Sequence, residues 1–217
     1  MAQASATPIR ITQADGVVVD GDLAIPDAAT GLVVFAHGSG SSRHSRRNRH
    51  VASALQQRGL ATLLMDLLTP DEEAIDAQTS EFRFDIELLA RRLVGAADWL
   101  ADEPSTRNLR LGYFGASTGA AAALVAAARN DRAAAIVSRG GRPDLAGGHA
   151  LHAVRAPTLL IVGDQQVIEL NEVAEDRMPA ERQLVIVPGA THLFEEPGAL
   201  DRVAELAGNW FVQHLTE

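Results

Sequence analysis

The stretch GYFGASTGAAAALVAAA, from Gly112 to Ala128, changes its pattern halfway along. An apolar run typical of a buried strand ends at Phe114, and an alanine-rich run typical of a helix begins after Gly119. Ser117 stands between them, with Gly115 and Gly119 two residues away on either side. The pattern predicts a strand, a tight turn and a helix. Either the turn presents the serine hydroxyl for chemistry or the serine only caps the helix, and the rest of the chain bears on that choice.

A similar alternation of apolar runs and helical patterns continues along most of the chain. Six short runs are apolar on both faces, as parallel strands covered by helices on each side are: Gly31–Gly38, Leu60–Asp66, Arg110–Gly115, Ala134–Gly141, Ala156–Asp164 and Arg182–Gly189. Apolar residues that repeat at steps of three and four predict helices over Ile86–Leu100 and Leu200–Phe211. Period-two alternation predicts an N-terminal antiparallel hairpin that pairs Ile9–Thr12 with Val18–Ile25.

This order of elements predicts an α/β fold. We expect a mostly parallel, twisted sheet with helices on both faces and an antiparallel hairpin at its N-terminal side. No internal repeat or linker divides the chain, so residues 1–217 are expected to form a single domain without a separate lid domain. The one polar interruption, Leu67–Phe84, is too short for a lid and is expected to be a loop with a little helix.

Composition excludes several classes of site and partner. The 217 residues carry a net charge of −9, which disfavours nucleic acid or an anionic membrane as the main partner. The chain has no cysteine, so disulfides, thiolate–metal sites and a cysteine nucleophile are excluded. The histidines have no acidic partners at metal-ligand spacings, and HGSGSSR lacks the lysine of a phosphate-binding loop. Without a signal-peptide or membrane-spanning pattern, we expect a cytoplasmic protein with no metal or cofactor, and homo-oligomer formation stays open.

Three residues at separate strand ends suggest nucleophilic catalysis. Chemistry in such a sheet takes place outside the carboxyl ends of the strands, where Ser117 falls. A serine nucleophile needs a base, and the base needs an orienting acid. Asp164 ends the fifth apolar run and His192 follows the sixth, in the order serine, acid, histidine that this kind of sheet uses. Taken singly, His192 is typical of a surface loop and Asp164 of a helix cap, but together with Ser117 they favour a catalytic site.

The developing oxyanion of an acyl-transfer reaction needs two backbone N–H donors. Thr118, which follows the serine, is predicted to supply one donor. Ser39, in the loop after VVFAHG, is predicted to supply the other. His37, at the start of that loop, is a candidate for substrate contact, or else it is structural, with its ring bonded to the loop.

Arginines suggest an anionic substrate. SSRHSRRNRH, from Ser41 to His50, holds four arginines and two histidines where a glycine-rich loop opens a helix, a position that favours an anion. Two interpretations stay open: Arg43 and its neighbours bind a carboxylate or phosphate of the substrate, or the arginines form a solvated first turn paired with surface acids. Arg139, at the carboxyl end of another strand, is a further substrate-binding candidate, or else it bonds local carbonyls.

The motifs HGSG, GASTG, GD and GATH resemble those of the α/β-hydrolase superfamily. More narrowly, the chain resembles the small, lidless branch related to dienelactone hydrolases, including stand-alone relatives of domains fused to phosphoribosyltransferases. The resemblance runs from about Val17 to the C-terminus, and it implies that Ser117 is the nucleophile, His192 the general base and then acid, and Asp164 the orienting carboxylate.

The chain departs from this resemblance in two ways. Dienelactone hydrolases use a cysteine nucleophile, which this chain lacks, so dienelactone itself is not expected as the substrate. Relatives also have a longer stretch between the strand's glycine and the acid, whereas Gly163 and Asp164 are adjacent here. Asp144, in RGGRPDL, is therefore the alternative acid.

Together these features predict a cofactor-free serine hydrolase. It would cleave an ester, thioester or lactone bond of a small acyl substrate, with an anionic substrate among the options, through an acyl-enzyme in a shallow, open pocket. Two alternatives remain: a non-catalytic anion-binding module on the same fold, and acyltransferase or perhydrolase chemistry on the same triad.

Overall fold

A computed structural model describes residues 5–163 and 165–216 of the chain. These residues form a sheet of eight strands: β1 (Thr7–Thr12), β2 (Val18–Ala24), β3 (Gly31–Ala36), β4 (Leu60–Met65), β5 (Leu111–Ala116), β6 (Ala133–Arg139), β7 (Thr158–Val162) and β8 (Arg182–Ile186). Their spatial order is β1-β2-β4-β3-β5-β6-β7-β8. Strands β3 to β8 pair in parallel, whereas β1 with β2 and β2 with β4 pair antiparallel. The predicted mostly parallel sheet with an N-terminal antiparallel hairpin is confirmed.

Seven α-helices occur in the described chain: α1 (Arg46–Gln56), α2 (Pro70–Thr79), α3 (Ile86–Asp102), α4 (Thr118–Arg129), α5 (Gly147–Ala153), α6 (Gln165–Arg177) and α7 (Ala199–Leu215). Helices α1 and α7 pack together on one face of the sheet, and α3 and α4 pack together on the other. A short 3-10 turn, Pro143–Ala146, precedes α5. Among the described residues, none of the helices is both long enough and apolar enough to cross a bilayer.

Strand β3 separates two apolar cores. All six of its residues are buried. Leu32 and Val34 pack into the core under α3 and α4, whereas Val33 and Phe35 pack into the core under α1 and α7. Successive side chains of a strand point to opposite faces, so a strand that is apolar throughout has to be covered on both sides. This is why five of the six short apolar runs form buried strands inside the sheet. The sixth, Arg182–Gly189, is predicted to be covered on both faces, but it forms the edge strand β8, whose residues are exposed or partly exposed.

The polar stretch Leu67–Phe84 contains more helix than we expected. Helix α2 covers ten of its residues and begins with a capping box. In this box the Thr69 hydroxyl accepts a hydrogen bond from Glu72 N–H, and the Glu72 carboxylate accepts one from Thr69 N–H. Asp76 then pairs with Arg83, with 2.7 Å between its Oδ2 and the arginine Nε, and so ties the helix to the following loop. The helix is largely polar, so its apolar periodicity was too weak to reveal it, and the Thr-Pro-Asp-Glu cap was the usable signal.

Candidate active site

Ser117 lies on the turn between β5 and α4, and its backbone is strained. Its φ of 52° and ψ of −119° fall in a region that residues with a side chain rarely adopt. Its N–H donates to the Arg139 carbonyl at 3.2 Å, and its own carbonyl accepts from the N–H groups of Ala120 and Arg142. Among the described residues its hydroxyl makes no capping bond to α4. The surrounding backbone therefore holds the turn in place, and the hydroxyl takes no part in starting the helix.

The two glycines of the G-x-S-x-G pattern are required by close contacts. A Cβ added to Gly115 would lie 2.4 Å from the Cα of Ala120, in the first turn of α4. A Cβ added to Gly119 would lie 2.3 Å from the carbonyl oxygen of Ala36, at the end of β3. Any larger residue would push the helix away from the strand ends. The glycines thus bring α4 against the sheet and fix where the serine stands.

His192 lies on the same rim of the sheet as Ser117. It follows β8 and packs beside Gly140, where an added Cβ would lie 3.4 Å from the ring Nδ1 and 3.1 Å from the His192 carbonyl oxygen. His192 and Ser117 line one cavity of about 250 Å³. The structure therefore brings the predicted nucleophile and the predicted base to the same site.

The predicted acid, Asp164, lies outside the described residues. Gly163 is described, and a Cβ added there would lie 2.7 Å from the carbonyl oxygen of Ala190. The end of β7 thus touches the loop that carries His192. The alternative acid, Asp144, has both carboxylate oxygens occupied, because they accept hydrogen bonds from Arg142 at 2.9 and 2.7 Å. This bond raises the pKa of the Arg142 guanidinium.

The two predicted oxyanion donors contact each other. Ser39 N–H donates to the Thr118 Oγ1 at 2.9 Å. Thr118 is the first residue of α4, where a backbone N–H has no partner inside the helix. Gly38 lies beside the serine, since an added Cβ would be 3.3 Å from the Ser117 Cβ. The loop after β3 therefore packs directly against the serine turn.

His37 is buried, and both of its ring nitrogens are bonded. Nε2 accepts from the Leu67 N–H at 3.2 Å, so Nδ1 carries the proton and donates to the Gly38 carbonyl at 2.9 Å. Burial lowers the pKa of this histidine, which keeps the ring neutral. His37 thus joins the loop after β3 to the loop after β4, as the structural interpretation predicted.

The structure does not bring Arg43 to the cavity. Its guanidinium forms ion pairs with Asp66, with Asp22 at 3.8 Å and with Asp20 at 3.9 Å, and its N–H donates to Asp66 at 2.7 Å. Three carboxylates, two within β2 and one directly after β4, thus surround this cation, which favours the second interpretation of Arg43, pairing with acids, over substrate binding.

Two neighbours of Arg43, which the sequence analysis grouped with it but did not name as site residues, line the cavity. They are Arg47 and Asn48, in the first turn of α1. Helical spacing was the available signal, because Arg47 lies one turn before the buried Val51 and Asn48 one turn before the buried Ala52.

Arg139, the last residue of β6, also lines this cavity, and only 6% of it is exposed. Its guanidinium carbon lies 6.0 Å from the centre of the Phe194 ring. The described residues contain no cluster of three His, Cys, Asp or Glu side chains suited to a metal ion. A serine, a histidine and a buried arginine therefore provide the chemically distinctive groups of the site.

Known proteins resemble this chain in sequence and in fold. Residues 29–207 match the model of a family described as the alpha/beta hydrolase domain. A dienelactone hydrolase from Anabaena variabilis is 58% identical, with a TM-score of 0.96, and the match covers 99% of this chain and 100% of that one. Est1E from Butyrivibrio proteoclasticus is 17% identical, with a TM-score of 0.79 over 97% of this chain and 99% of that one, and shows likeness of fold alone.

Two proteins from strains of Mycobacterium tuberculosis, each named "Putative phosphoribosyl transferase", are 60% identical over 202 residues. The match covers 92% of this chain but 44% of each relative. The chain thus spans less than half the length of these curated relatives.

Proposed function

Because the chain belongs to the α/β-hydrolase family, we propose that it is a serine hydrolase that cleaves an ester, thioester or lactone bond of a small acyl substrate. The observation that carries the proposal is the strained backbone of Ser117 beside His192 in one cavity. Backbone strain persists where the surrounding structure imposes it, and it is common at catalytic positions. Here the backbone hydrogen bonds of Ser117 with Arg139, Ala120 and Arg142 hold the turn in this conformation.

The reaction would proceed through an acyl-enzyme. The Ser117 Oγ attacks the substrate carbonyl while His192 accepts the hydroxyl proton, and the carbonyl oxygen becomes an oxyanion. Collapse of the tetrahedral intermediate breaks the bond to the leaving group, which takes the proton from His192. A water molecule then attacks the acyl-enzyme and gives one proton to His192. The bond between the acyl carbon and Ser117 Oγ breaks, His192 returns the proton to Oγ, and the acid is released.

Thr118 and Ser39 are the proposed oxyanion donors. The Thr118 N–H at the start of α4, which has no partner inside the helix, supports this role. Ser39 N–H already bonds the Thr118 hydroxyl, so it has to share this bond with the oxyanion or exchange it during the reaction. That hydroxyl also keeps the loop after β3 beside the serine turn.

Asp164 is the proposed orienting acid. Contact between Gly163 and Ala190 supports it, because the end of β7 then adjoins the loop that carries His192. The Arg142 pair argues against Asp144, whose carboxylate would have to leave a charge-assisted bidentate bond before it could orient the histidine. An asparagine at the acid position would favour the wrong histidine tautomer, which is how the two candidates can be separated.

The name of the Mycobacterium tuberculosis relatives belongs to chains more than twice as long as the matched region. The activity in that name is therefore said of the longer chains alone. Acyl transfer and perhydrolysis would use the same acyl-enzyme with another acceptor in place of water, so hydrolysis has to be measured against them in the product mixture.

A fluorophosphonate probe tests the proposal directly, because it modifies only an activated serine. Wild type and Ser105→Ala should be labelled, since Ser105 is an exposed serine in the loop after α3. Ser117→Ala should not be labelled. Labelling of all three proteins, or of none, would contradict the proposal, and the second result would favour the non-catalytic alternative.

A further inference from the structure

Arg139 is a buried cation without an anionic partner in the part of the chain that the structure describes. Its Nε and Nη1 atoms are buried, and neither has a hydrogen-bond partner there. None of the described acidic side chains forms an ion pair with Arg139. Its guanidinium group instead lies over the uncharged ring of Phe194. Buried charges are ordinarily paired, because removing an ion from water without a counter-charge is strongly unfavourable. Stability alone therefore does not explain an arginine at this position.

The charge that influences Arg139 has the same sign. Burial, and then the positive charge of Arg47, lower the pKa of Arg139 to about 10, so the side chain remains a cation at neutral pH. Arg47 is paired with Glu195 at 2.9 Å, but the Glu195 side chain is 63% exposed and lies at the surface. Two guanidinium groups thus meet at one cavity while the acid that balances one of them lies outside.

Helix α1 adds to this positive potential. It begins at the cavity, with its N-cap residue Ser45 and with Asn48 in the lining. Helix N-termini carry partial positive charge and commonly hold acidic residues in the first turn, but α1 has none there. Arg46 and Arg47 occupy the first two positions instead. The N-terminus of α1, Arg47 and Arg139 therefore all lie at the cavity that contains Ser117.

We propose that Arg139 and Arg47 bind an anionic group of the substrate, a carboxylate or a phosphate, next to the carbonyl that Ser117 attacks. The inference rests on the proposed hydrolase function and names its substrate class: short esters, thioesters or lactones that carry a second, negatively charged group. The planar fork of a guanidinium matches both oxyanions. A cavity of about 250 Å³ has room for the acyl carbon and a short anionic arm but not for a long lipid chain.

A matched pair of substrates tests the charge preference. Monomethyl succinate carries a free carboxylate, and methyl 4-oxopentanoate is neutral and has the same chain length. Wild type should prefer the anion in kcat/KM, and Arg139→Met should reduce the preference by about 10- to 100-fold, the range of a buried charge-assisted hydrogen bond. Arg47→Gln should reduce it by less, since Arg47 is partly exposed. Arg132→Gln, which removes the same charge far from the cavity, should leave the preference within about twofold.

Anion binding gives a second measurement that needs no turnover. Inorganic phosphate and succinate are titrated separately into the Ser117→Ala protein, alone and combined with Arg139→Met or Arg139→Lys. Each bound anion should raise Tm when Arg139 is present, fail to do so with methionine, and act partly with lysine, which keeps the charge and loses the fork. Comparison of the two anions identifies which is preferred, and folded variants are verified by their own unfolding transitions.

The possible failures are distinguishable. If wild type hydrolyses neither ester and Ser117 resists the fluorophosphonate probe, the proposed function is wrong. If wild type hydrolyses both esters equally well and neither anion shifts Tm, the function stands and the anion site is overturned. An equal loss on both esters in Arg139→Met, with no change in preference, would likewise overturn anion recognition and leave a structural role.

Discussion

The two ends of the parallel sheet carry cavities of opposite character. At the carboxyl ends of the strands, a cavity of about 250 Å³ contains Ser117, His192 and the buried Arg139. At the amino ends, a groove of about 730 Å³ is lined by strand starts such as Leu111 and Pro157, and no serine or histidine is among its described lining residues. The serine and histidine of the proposed site thus lie in the smaller of these two spaces.

The arginines at the two ends of the sheet differ in exposure and in pairing. The amino-end groove is lined by Arg107, Arg110, Arg132 and Arg155, all of them exposed. Helices α3 and α4 end here, and cations are favourable at helix C-termini. Arg132 is also paired with Asp98 at 3.3 Å. Arg139 is buried, unpaired among the described residues and near a helix N-terminus, where a cation is unfavourable unless it binds something.

Among substitutions at the two ends of the sheet, loss of the proposed serine nucleophile should cause the largest decrease in ester hydrolysis. Ser117→Ala should reduce ester hydrolysis on the order of a million-fold, as loss of the nucleophile does in triad enzymes. Ser105→Ala, which changes the exposed residue next to Thr106 of the amino-end groove, should keep wild-type kcat/KM. Initial rates with methyl 4-oxopentanoate measure both. More than a few per cent of wild-type rate in Ser117→Ala would mean that the carboxyl-end cavity is not the reaction site.

Loss of the proposed triad acid should cause the next largest decrease in activity. Asp164→Asn should reduce kcat by about ten-thousand-fold, because the histidine would be held in the wrong tautomer. Asp144→Asn should lose less than about tenfold, since this carboxylate is engaged by Arg142. The two variants are compared by kcat at a pH where the wild-type rate is at its plateau. A larger loss in Asp144→Asn would assign the triad acid to the loop after β6.

The two arginines should differ in the sign of their effect on stability. Arg139→Met should raise the free energy of unfolding by about 1 kcal/mol or more in buffer without phosphate or carboxylates, because it removes a buried, unpaired charge. Arg132→Gln should lower it by at most about 1 kcal/mol, because it removes an exposed ion pair. Urea unfolding measures both. Destabilisation by Arg139→Met would indicate that the guanidinium makes stabilising contacts that burial alone does not reveal.

Replacement of His37 should have the smallest effect, a change in how the free energy of unfolding depends on pH. Burial lowers the pKa of folded His37, so below about pH 6.5 the unfolded chain takes up a proton that the folded chain excludes. Its contribution to stability is therefore complete above that pH and is lost as the pH falls, by at most about 1.4 kcal/mol per pH unit. The nearby carboxylates of Asp66 and Glu73 oppose the shift. The free energy of unfolding, measured in urea at pH 7 and pH 5, should change less between the two pH values in His37→Gln than in wild type. An equal change in both proteins would contradict this role.

The sequence was sufficient for the sheet because its signals are local. A run such as Gly31–Gly38 carries its own burial pattern, and the glycines beside Ser117 carry the need for close approach. Helix α2 was underestimated because its signal lies in the cap rather than in apolar periodicity. Local signals of this kind can be evaluated without knowledge of what lies nearby in space.

The arginines were harder because their direction depends on tertiary contacts. Arg43 turns towards Asp20, Asp22 and Asp66, which meet only because β2 pairs antiparallel with β4. No sequence spacing reveals that pairing partner. Arg139 was placed at the correct strand end, but its lack of a partner is a property of the folded environment and needed coordinates.

The backbone of the serine turn also bears on how such sites diversify. The hydrogen bonds that hold residue 117 in the described structure are made by main-chain atoms of Arg139, Ala120 and Arg142, none of which depends on the hydroxyl. The shape of the turn is thus independent of the hydroxyl at its apex. Replacement of oxygen by sulfur in Ser117→Cys changes nucleophilicity while leaving the architecture untouched. Ser117→Cys is therefore expected to fold as the wild type does, and the residue at this apex can be exchanged without rebuilding the turn.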